Sequence, residues 1–170
     1  YHLKQLDPQG DLYRPAEIFP KFWKNADETE QRIARDFIKP ATNILLNTSS
    51  QGKANSSVGK LLKDHGDGNV LKDIMYRIER TKLKGIVQRI VDCHSDVAND
   101  FFCQKGMQLM GIDGTMMHHI LREFVLKRGK PALAIHDSLV VRRSDRKVAK
   151  RVMIEQYQKF VGFPPVIKRE

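Results

Sequence analysis

A polar triplet between two short apolar runs is the feature that most constrains how this 170-residue chain can fold. The stretch from Ala132 to Val141 reads ALAIHDSLVV, with aliphatic residues on both sides of the triplet. Such runs, joined by polar residues, predict two half-buried strands that meet at a tight turn. An ionised carboxylate is costly to remove from water, so we expect the charge of Asp137 to be compensated, for example by a divalent metal ion.

A helix and a proline-led strand are predicted after the hairpin. Apolar residues recur at helical spacing from Val148 to Val161. Ser144 is a suitable N-cap for this helix, and Gly162 is a suitable end. The last segment, Phe163–Lys168, is largely apolar and is introduced by prolines, which predicts a short final strand.

The layout of residues 131–168 resembles the C-terminal part of the palm in DNA polymerases of the polymerase I family. In that family a His-Asp-Glu turn precedes a helix and a strand of this kind. The serine that follows His136 and Asp137 is instead similar to the His-Asp-Ser of single-subunit, phage-type RNA polymerases and of polymerase-like proteins from phages and mobile elements. The resemblance implies an α+β fold, in which a helix-rich chain surrounds a small antiparallel palm-like sheet.

The resemblance also implies roles for the two residues of the turn. Nucleotidyl transfer in these families uses two divalent ions, and Mg²⁺ prefers oxygen ligands. Asp137 would therefore be a catalytic residue and a ligand of Mg²⁺ or Mn²⁺, and His136 would position Asp137 or contact the primer terminus. The alternative is that Asp137 is an ordinary turn residue, since Asp is favoured in turns, and that His136 has no role.

A second motif lies closer to the N-terminus. Four residues recur at intervals that place them on one face of a predicted helix, namely Arg35, Lys39, Asn43 and Asn47. They resemble the Arg-x-x-x-Lys motif of the fingers helix in the same polymerases, which implies that Arg35 and Lys39 bind the incoming nucleoside triphosphate. Asn43 and Asn47 replace the family's aromatic residues and leave the choice of sugar open. Pro40 predicts a kinked or broken helix, and a solvated basic face is the alternative.

The charge of the chain favours a polyanionic partner. Lys and Arg number 30 against 20 Asp and Glu, which gives a net charge of +10 and a pI of about 9.7. This balance favours DNA or RNA as a partner, although a solubilising surface would have the same composition. The basic residues that we expect to contact a phosphate backbone are Lys53, Lys60, Lys63, Arg77, Arg80, Lys82 and Lys84.

Cysteine content and hydropathy predict a cytoplasmic protein, associated with the nucleoid or located in a virus-infected cell. Cys93 and Cys103 are too few for a disulfide framework, which favours a reducing compartment. No apolar run approaches the roughly 20 residues that span a bilayer, so we expect no membrane partner. A zinc site is an alternative use of Cys93, His94, Cys103, His118 and His119, but their spacing is not that of a zinc motif.

Three regions are predicted along the chain. Residues 1–25 are irregular, residues 26–110 form a mostly helical, fingers-like region, and residues 111–170 form the palm-like helix, hairpin, helix and strand. Within the fingers-like region a flexible basic loop is predicted near 48–70, because this segment is rich in Ser, Gly, Asn and Lys, with one short helix around Ser57–Asp64.

The predicted helices have recognisable starts and stops. Asn25 or Asp27 opens the helix over 26–47. Residues 71–105 are helical, with a break at Gly85 or at Cys93–Ser95. A turn at Gly111–Gly114 makes Asp113 the N-cap of the next helix, and Gly129–Pro131 ends that helix before the hairpin.

One element of the palm mechanism is missing from the sequence. A second carboxylate is needed on a strand that precedes the fingers motif. Asp7, Asp11 and Asp27 come before Arg35, and none of them lies in an apolar strand. The resemblance implies that this strand lies upstream of Tyr1, and we expect a longer polypeptide to supply it.

The predicted function is template-directed nucleotidyl transfer by a DNA or RNA polymerase-like protein that uses two Mg²⁺ ions. The isolated chain would bind nucleotide or nucleic acid with little or no polymerisation. The alternative is a non-catalytic nucleic-acid-binding protein of a phage or mobile element. A metal phosphohydrolase is disfavoured, because such enzymes carry a His-Asp pair on a helix and residues 133–141 predict strand.

Overall fold

Helices dominate the chain, and a single β-hairpin forms its small antiparallel sheet, within the residues that the structure describes. The structure is a computed structural model that describes residues 11–165 and residue 167. These residues form two compact units, a helical unit (residues 11–107) and a hairpin unit (residues 108–165 and 167). The α+β prediction is therefore confirmed in its coarse form.

The elements of the helical unit follow one another with short connections. Its α-helices are α1 (Pro15–Ile18), α2 (Pro20–Trp23), α3 (Glu28–Asn47), α4 (Gln51–Asp64), α5 (Gly68–Asp73) and α6 (Leu83–Cys93). A π-helical turn (Ile74–Ile78) follows α5, and a 3₁₀ turn (Ser95–Asp100) follows α6. The predicted irregular segment 1–25 is therefore partly helical over residues 11–25, and residues 1–10, including Asp7, lie outside the described residues.

Helix α3 begins where the sequence predicts. The side chain of Asp27 accepts a hydrogen bond from the N–H of Glu30, and the side chain of Glu30 accepts one from the N–H of Asp27. This reciprocal pair is a capping box. The helix runs through Pro40 without a break, although proline cannot donate to the carbonyl of residue 36. Its buried apolar face outweighs that loss.

The short helix predicted around Ser57–Asp64 is present and ends at Asp64, but it begins at Gln51, so the flexible loop predicted before it is wrong. Ser50 accepts a hydrogen bond from the N–H of Lys53 and caps α4, which extends over 14 residues. Ala54, Val58 and Leu62 are buried at intervals of four residues, and α4 packs against α3 and α6. This stripe outweighs the low helix propensity of the Gly, Ser and Asn residues between its members.

The predicted helix over 71–105 is interrupted twice, after the buried acid Glu79 and, as one of the two predictions has it, at Cys93–Ser95. The side chain of Glu79 is fully buried, and Oε1 accepts hydrogen bonds from the N–H groups of Lys21 (2.8 Å) and Phe22 (2.9 Å). Oε2 accepts one from the guanidinium of Arg89 at 2.8 Å. Gly85 lies inside α6, and that helix ends at Cys93, as one of the two predicted breaks requires.

The hairpin unit contains two long helices and the hairpin. Its elements are α7 (Lys105–Leu121, of which residues 108–121 belong to this unit), a π-helical turn (Arg122–Leu126) that continues it, β1 (Ala132–Ile135), β2 (Ser138–Val141), a 3₁₀ turn (Arg143–Asp145) and α8 (Arg146–Val161). Ile120, Phe124, Ala149 and Val152 form its core. The Nζ of Lys130 donates to the buried carboxylate of Asp145 and joins the start of the hairpin to the start of α8.

Two predicted boundaries in this unit are wrong. No turn interrupts α7 at Gly111–Gly114, so Asp113 lies inside the helix and is not an N-cap. Each glycine costs about 1 kcal/mol relative to alanine, and the packing of the following helical residues against the core outweighs it. Asp145, not Ser144, precedes α8, because a 3₁₀ turn occupies the predicted capping position.

The ends of both helices are as predicted. Gly129, at a φ of 63°, follows the π-helical turn, and Gly162, at a φ of 90°, follows α8. Glycine adopts such positive φ angles without steric cost. The predicted final strand is not present at residues 163–165 and 167, and Val166 and Lys168 lie outside the described residues.

Candidate functional site

The hairpin tip, defined as His136 and Asp137, joins β1 and β2 as the sequence predicts. Ile135 pairs with Ser138, so the loop consists of the two tip residues alone. His136 has a φ of 54°, and Asp137 has a negative φ. Positive φ is uncommon for a residue with a Cβ atom, although histidine is among the side chains that tolerate it best. The tip therefore holds a locally strained backbone.

The carboxylate at the tip is exposed, and the expectation that its charge needs compensation is wrong. The strands bury one face only, with Ala134 and Leu139 partly covered. On the other face Leu133 is 61% exposed and Val140 is 53% exposed. Asp137 lies at the solvent end of this half-covered hairpin, so its charge stays in water and its burial cannot indicate a metal.

The donor set at the tip fits one Mg²⁺ ion and does not fit two. Mg²⁺ is commonly held by one or two carboxylates together with waters and substrate phosphates, and Asp137 supplies one such carboxylate. Within residues 11–165 and 167, no three His, Cys, Asp or Glu side chains come together in a group that could hold a metal ion. A second ion would need ligands from elsewhere.

The α3 face, defined as Arg35, Lys39, Asn43 and Asn47, lies on one uninterrupted helix, so these side chains share a side of it. Lys39 and both asparagines are exposed, and Arg35 is partly exposed. Twelve residues of helix separate the first member from the last, which corresponds to about 18 Å. The structure thus brings the four predicted residues into one row.

Arg35 has partners that the sequence does not indicate. Its Nε donates to Oδ2 of Asp11 at 2.8 Å, and its guanidinium carbon lies 5.2 Å from the ring centroid of Tyr13. Partial burial alone would raise the pKa of Asp11, but hydrogen bonds from Arg35 and from the N–H of Tyr13 outweigh it and hold that pKa below its usual value. No local sequence pattern predicts the ion pair between Asp11 and Arg35, because 24 residues separate them.

The α3 face ends at a polar cleft of about 500 Å³. The cleft is lined by Asn47, Thr48, Ser49, Gly52, Lys53, Ser56, Ser57 and Gln104. It brings Asn47, predicted to bind nucleotide, together with Lys53, predicted to bind nucleic acid. The C-terminus of α3 and the N-terminus of α4 meet here, and the hydroxyl groups, the amides and one ammonium suit a phosphate ligand.

The residues predicted to contact a phosphate backbone are all exposed. Lys53, Lys60 and Lys63 lie on α4, Arg77 lies on the π-helical turn, Arg80 and Lys82 lie on the following connection, and Lys84 lies on α6. Arg77 is paired with Asp73 at 2.8 Å, and Lys53 donates to the hydroxyl of Ser49 at 3.0 Å. In the described part of the chain, the other members form no ion pair.

No protein family model, curated protein or solved structure matches the chain. Within the described ranges, no helix combines the length and the apolar composition that crossing a membrane requires.

Proposed function

We propose that the chain is the fingers-and-palm part of a template-directed nucleotidyltransferase that acts on nucleoside triphosphates and a DNA or RNA strand. The hairpin tip carries the proposal, because a strained His136 presents the exposed carboxylate of Asp137. Two-residue hairpin loops usually place Gly, Asn or Asp at such positive-φ positions. Positive φ angles at residues other than glycine cluster at functional sites, which supports a role for His136 beyond that of a turn.

The roles of the predicted residues follow from their chemistry. Arg35 and Lys39 bind phosphate oxygens, and Arg35 does so by exchanging the carboxylate of Asp11 for a more highly charged anion. Asp137 provides one ligand to Mg²⁺ or Mn²⁺, and His136 orients it. When bound, the metal ion neutralises charge on the substrate phosphates. We propose that the further carboxylate is supplied by another polypeptide segment, so that this chain alone has little polymerase activity.

The proposal is tested with the variant Asp137→Asn. Isothermal titration calorimetry measures the affinity for a nucleoside triphosphate in the presence of Mg²⁺ and in the presence of EDTA. We expect Mg²⁺ to tighten binding to the wild-type chain by about tenfold, and this gain to be lost in Asp137→Asn. Asp113→Asn, which removes an exposed carboxylate from α7, is the matched control. An equal Mg²⁺ effect in all three proteins would refute the role of Asp137.

A second candidate function is favoured by the exposed basic residues of α4 and of the segment that follows α5. A non-catalytic nucleic-acid-binding protein of a phage or mobile element would use these side chains and need no metal. Its affinity for single-stranded DNA would fall steeply with salt and would be the same in Asp137→Asn. Loss of the Mg²⁺ effect with unchanged DNA affinity would show that both activities are present.

A further inference from the structure

A second cleft, in the hairpin unit, has a composition that the hairpin tip does not explain. It encloses about 490 Å³ between α8 and the end of α7 with its π-helical continuation. One wall presents His119, Arg122 and Glu123, and the other presents Gln156, Lys159 and Phe160. In each set the second and third residues follow the first by three and four positions. The three side chains therefore lie on one face of their helix, and that face borders the cleft. We call it the α7–α8 cleft.

An amide that borders this cleft has no protein partner among the described residues, and its polar atoms are not sealed from solvent. Gln156 is only 7% exposed, and it lines the cleft. No hydrogen bond joins its amide to any residue that the structure describes. Water can reach this amide, so a ligand that enters the cleft can take the place of that water. A ligand in the cleft would satisfy both the donor and the acceptor of this amide.

The charged side chains of the cleft favour an anionic ligand. Its acidic residue, Glu123, is already engaged by Lys127 (2.8 Å) and by Arg128 (3.2 Å). Those two bonds, the one from Lys127 above all, hold the pKa of Glu123 below its usual value and keep it ionised and paired. Arg122 and Lys159 form no ion pair with any described residue, so two cations remain available to a phosphate group.

The rings of the cleft supply a stacking surface. His119 and Phe160 are in contact across the two helices, with their ring centroids 5.1 Å apart and their planes at 60°. Nucleobases stack on aromatic side chains with little dependence on base identity. Phosphate, base and amide partners thus occur together in a space that falls within the range of small-molecule sites.

We infer that the α7–α8 cleft is a nucleotide-binding site. Arg122 and Lys159 bind the phosphate, the His119–Phe160 pair stacks on the base, and the amide of Gln156 hydrogen-bonds to the base edge. The ligand is a nucleoside monophosphate unit, either free or within a single strand. Binding at this cleft needs no metal ion and does not depend on Asp137. A failure of this inference can therefore be distinguished from a failure of the proposed nucleotidyl transfer.

The test uses the full chain in EDTA, with AMP, inorganic phosphate and an oligothymidylate of about eight nucleotides as probes. Nuclear magnetic resonance follows the side-chain amide signal of Gln156, which is assigned by its loss in Gln156→Leu. We expect AMP or the oligonucleotide to shift this signal, and Lys159→Gln to weaken that binding about tenfold. Arg151→Gln, which removes an exposed charge from α8 outside the cleft, should leave the affinity unchanged.

The three probes distinguish a free nucleotide from a nucleotide within a strand, and they also show which results would overturn the inference. A response to AMP identifies a free nucleotide, and a response to the oligonucleotide alone identifies a strand. Equal affinity for phosphate and AMP, no shift with any probe, or equal losses in Lys159→Gln and Arg151→Gln would overturn the inference. Gln156→Leu adds an independent criterion, because an unpartnered amide replaced by an apolar group of similar size should leave the melting temperature equal or higher. A lower value would show that the amide serves the fold.

Discussion

The Nε of Arg35 donates to Oδ2 of Asp11 at 2.8 Å, while its guanidinium lies over the ring of Tyr13. The guanidinium that we propose to bind phosphate is therefore already held in place by a carboxylate and an aromatic ring. Both partners of the ion pair remain more than a third exposed, so the pair is weak enough to exchange for a polyanion.

Asp11→Asn should increase the affinity of the chain for nucleoside triphosphates. Exposed ion pairs contribute about 0.2–1 kcal/mol, so release of Arg35 should tighten binding up to about fivefold in calorimetric titrations. Asp64→Asn, at the end of α4, removes an exposed carboxylate away from Arg35 and should have no effect. Unchanged affinity in both Asp11→Asn and Arg35→Gln would exclude Arg35 from phosphate binding.

The same ion pair predicts a pH dependence of stability. The pKa of Asp11 is lowered in the folded chain, so its contribution is complete above the unfolded carboxyl value near 4 and is lost as the pH falls through the folded value. We expect Asp11→Asn to lower the free energy of unfolding by less than about 1 kcal/mol at neutral pH. The difference should shrink as the pH falls through the folded value and disappear once the carboxyl is protonated in both the folded and the unfolded chain. Urea unfolding followed by the fluorescence of Trp23, the single tryptophan, measures the difference in the free energy of unfolding between the two proteins. A difference that persists at low pH would show that it does not come from the Asp11–Arg35 ion pair.

Glu79 should be the most costly single carboxylate to remove from the helical unit. Its truncation to alanine leaves two N–H groups of α2 without their acceptor, and Arg89 keeps the carbonyl of Ile18 alone. Breaking a buried, hydrogen-bonded ion pair in this way costs about 3–5 kcal/mol. The unfolding transition seen by Trp23 fluorescence reports the loss, and Glu28→Ala, at the exposed start of α3, should cost less than about 1 kcal/mol. Equal losses of stability in the two variants would contradict the role of Glu79 as a buried acceptor for Arg89 and α2.

The two thiols should react at different rates. Burial, followed by the nearby charge of Glu17, raises the pKa of Cys93 to about 11. At pH 8, three units lower, about one Cys93 thiol in a thousand is the reactive thiolate. Cys103 is exposed and should account for the fast phase of labelling by a thiol reagent. Cys103→Ser should therefore abolish that phase, and a fast phase that survives would show that Cys93 is accessible.

Features that depend on neighbours in the chain were predictable. The capping box of α3, the hairpin around His136 and Asp137 and the terminating glycines Gly129 and Gly162 all follow from residues only a few positions apart. Local backbone chemistry decides such features, because the hydrogen bonds and the allowed φ angles involve adjacent residues.

Helix continuity was only partly predictable. The Gly- and Ser-rich segments of α4 and α7 favour turns on their own, yet both are helical. Packing of one apolar stripe against another element stabilises a helix more than propensity destabilises it, and the extent of that packing is set by residues remote in sequence.

The sequence by itself determined that this chain is helix-rich, that one hairpin presents a His-Asp pair, and that Arg35 and Lys39 share a helix face. Only the tertiary structure decided that Asp137 lies in solvent, that Asp11 holds Arg35, and that Gln156 borders a basic cleft. Exposure and pairing depend on which distant segments pack together, and no local pattern of residues specifies that.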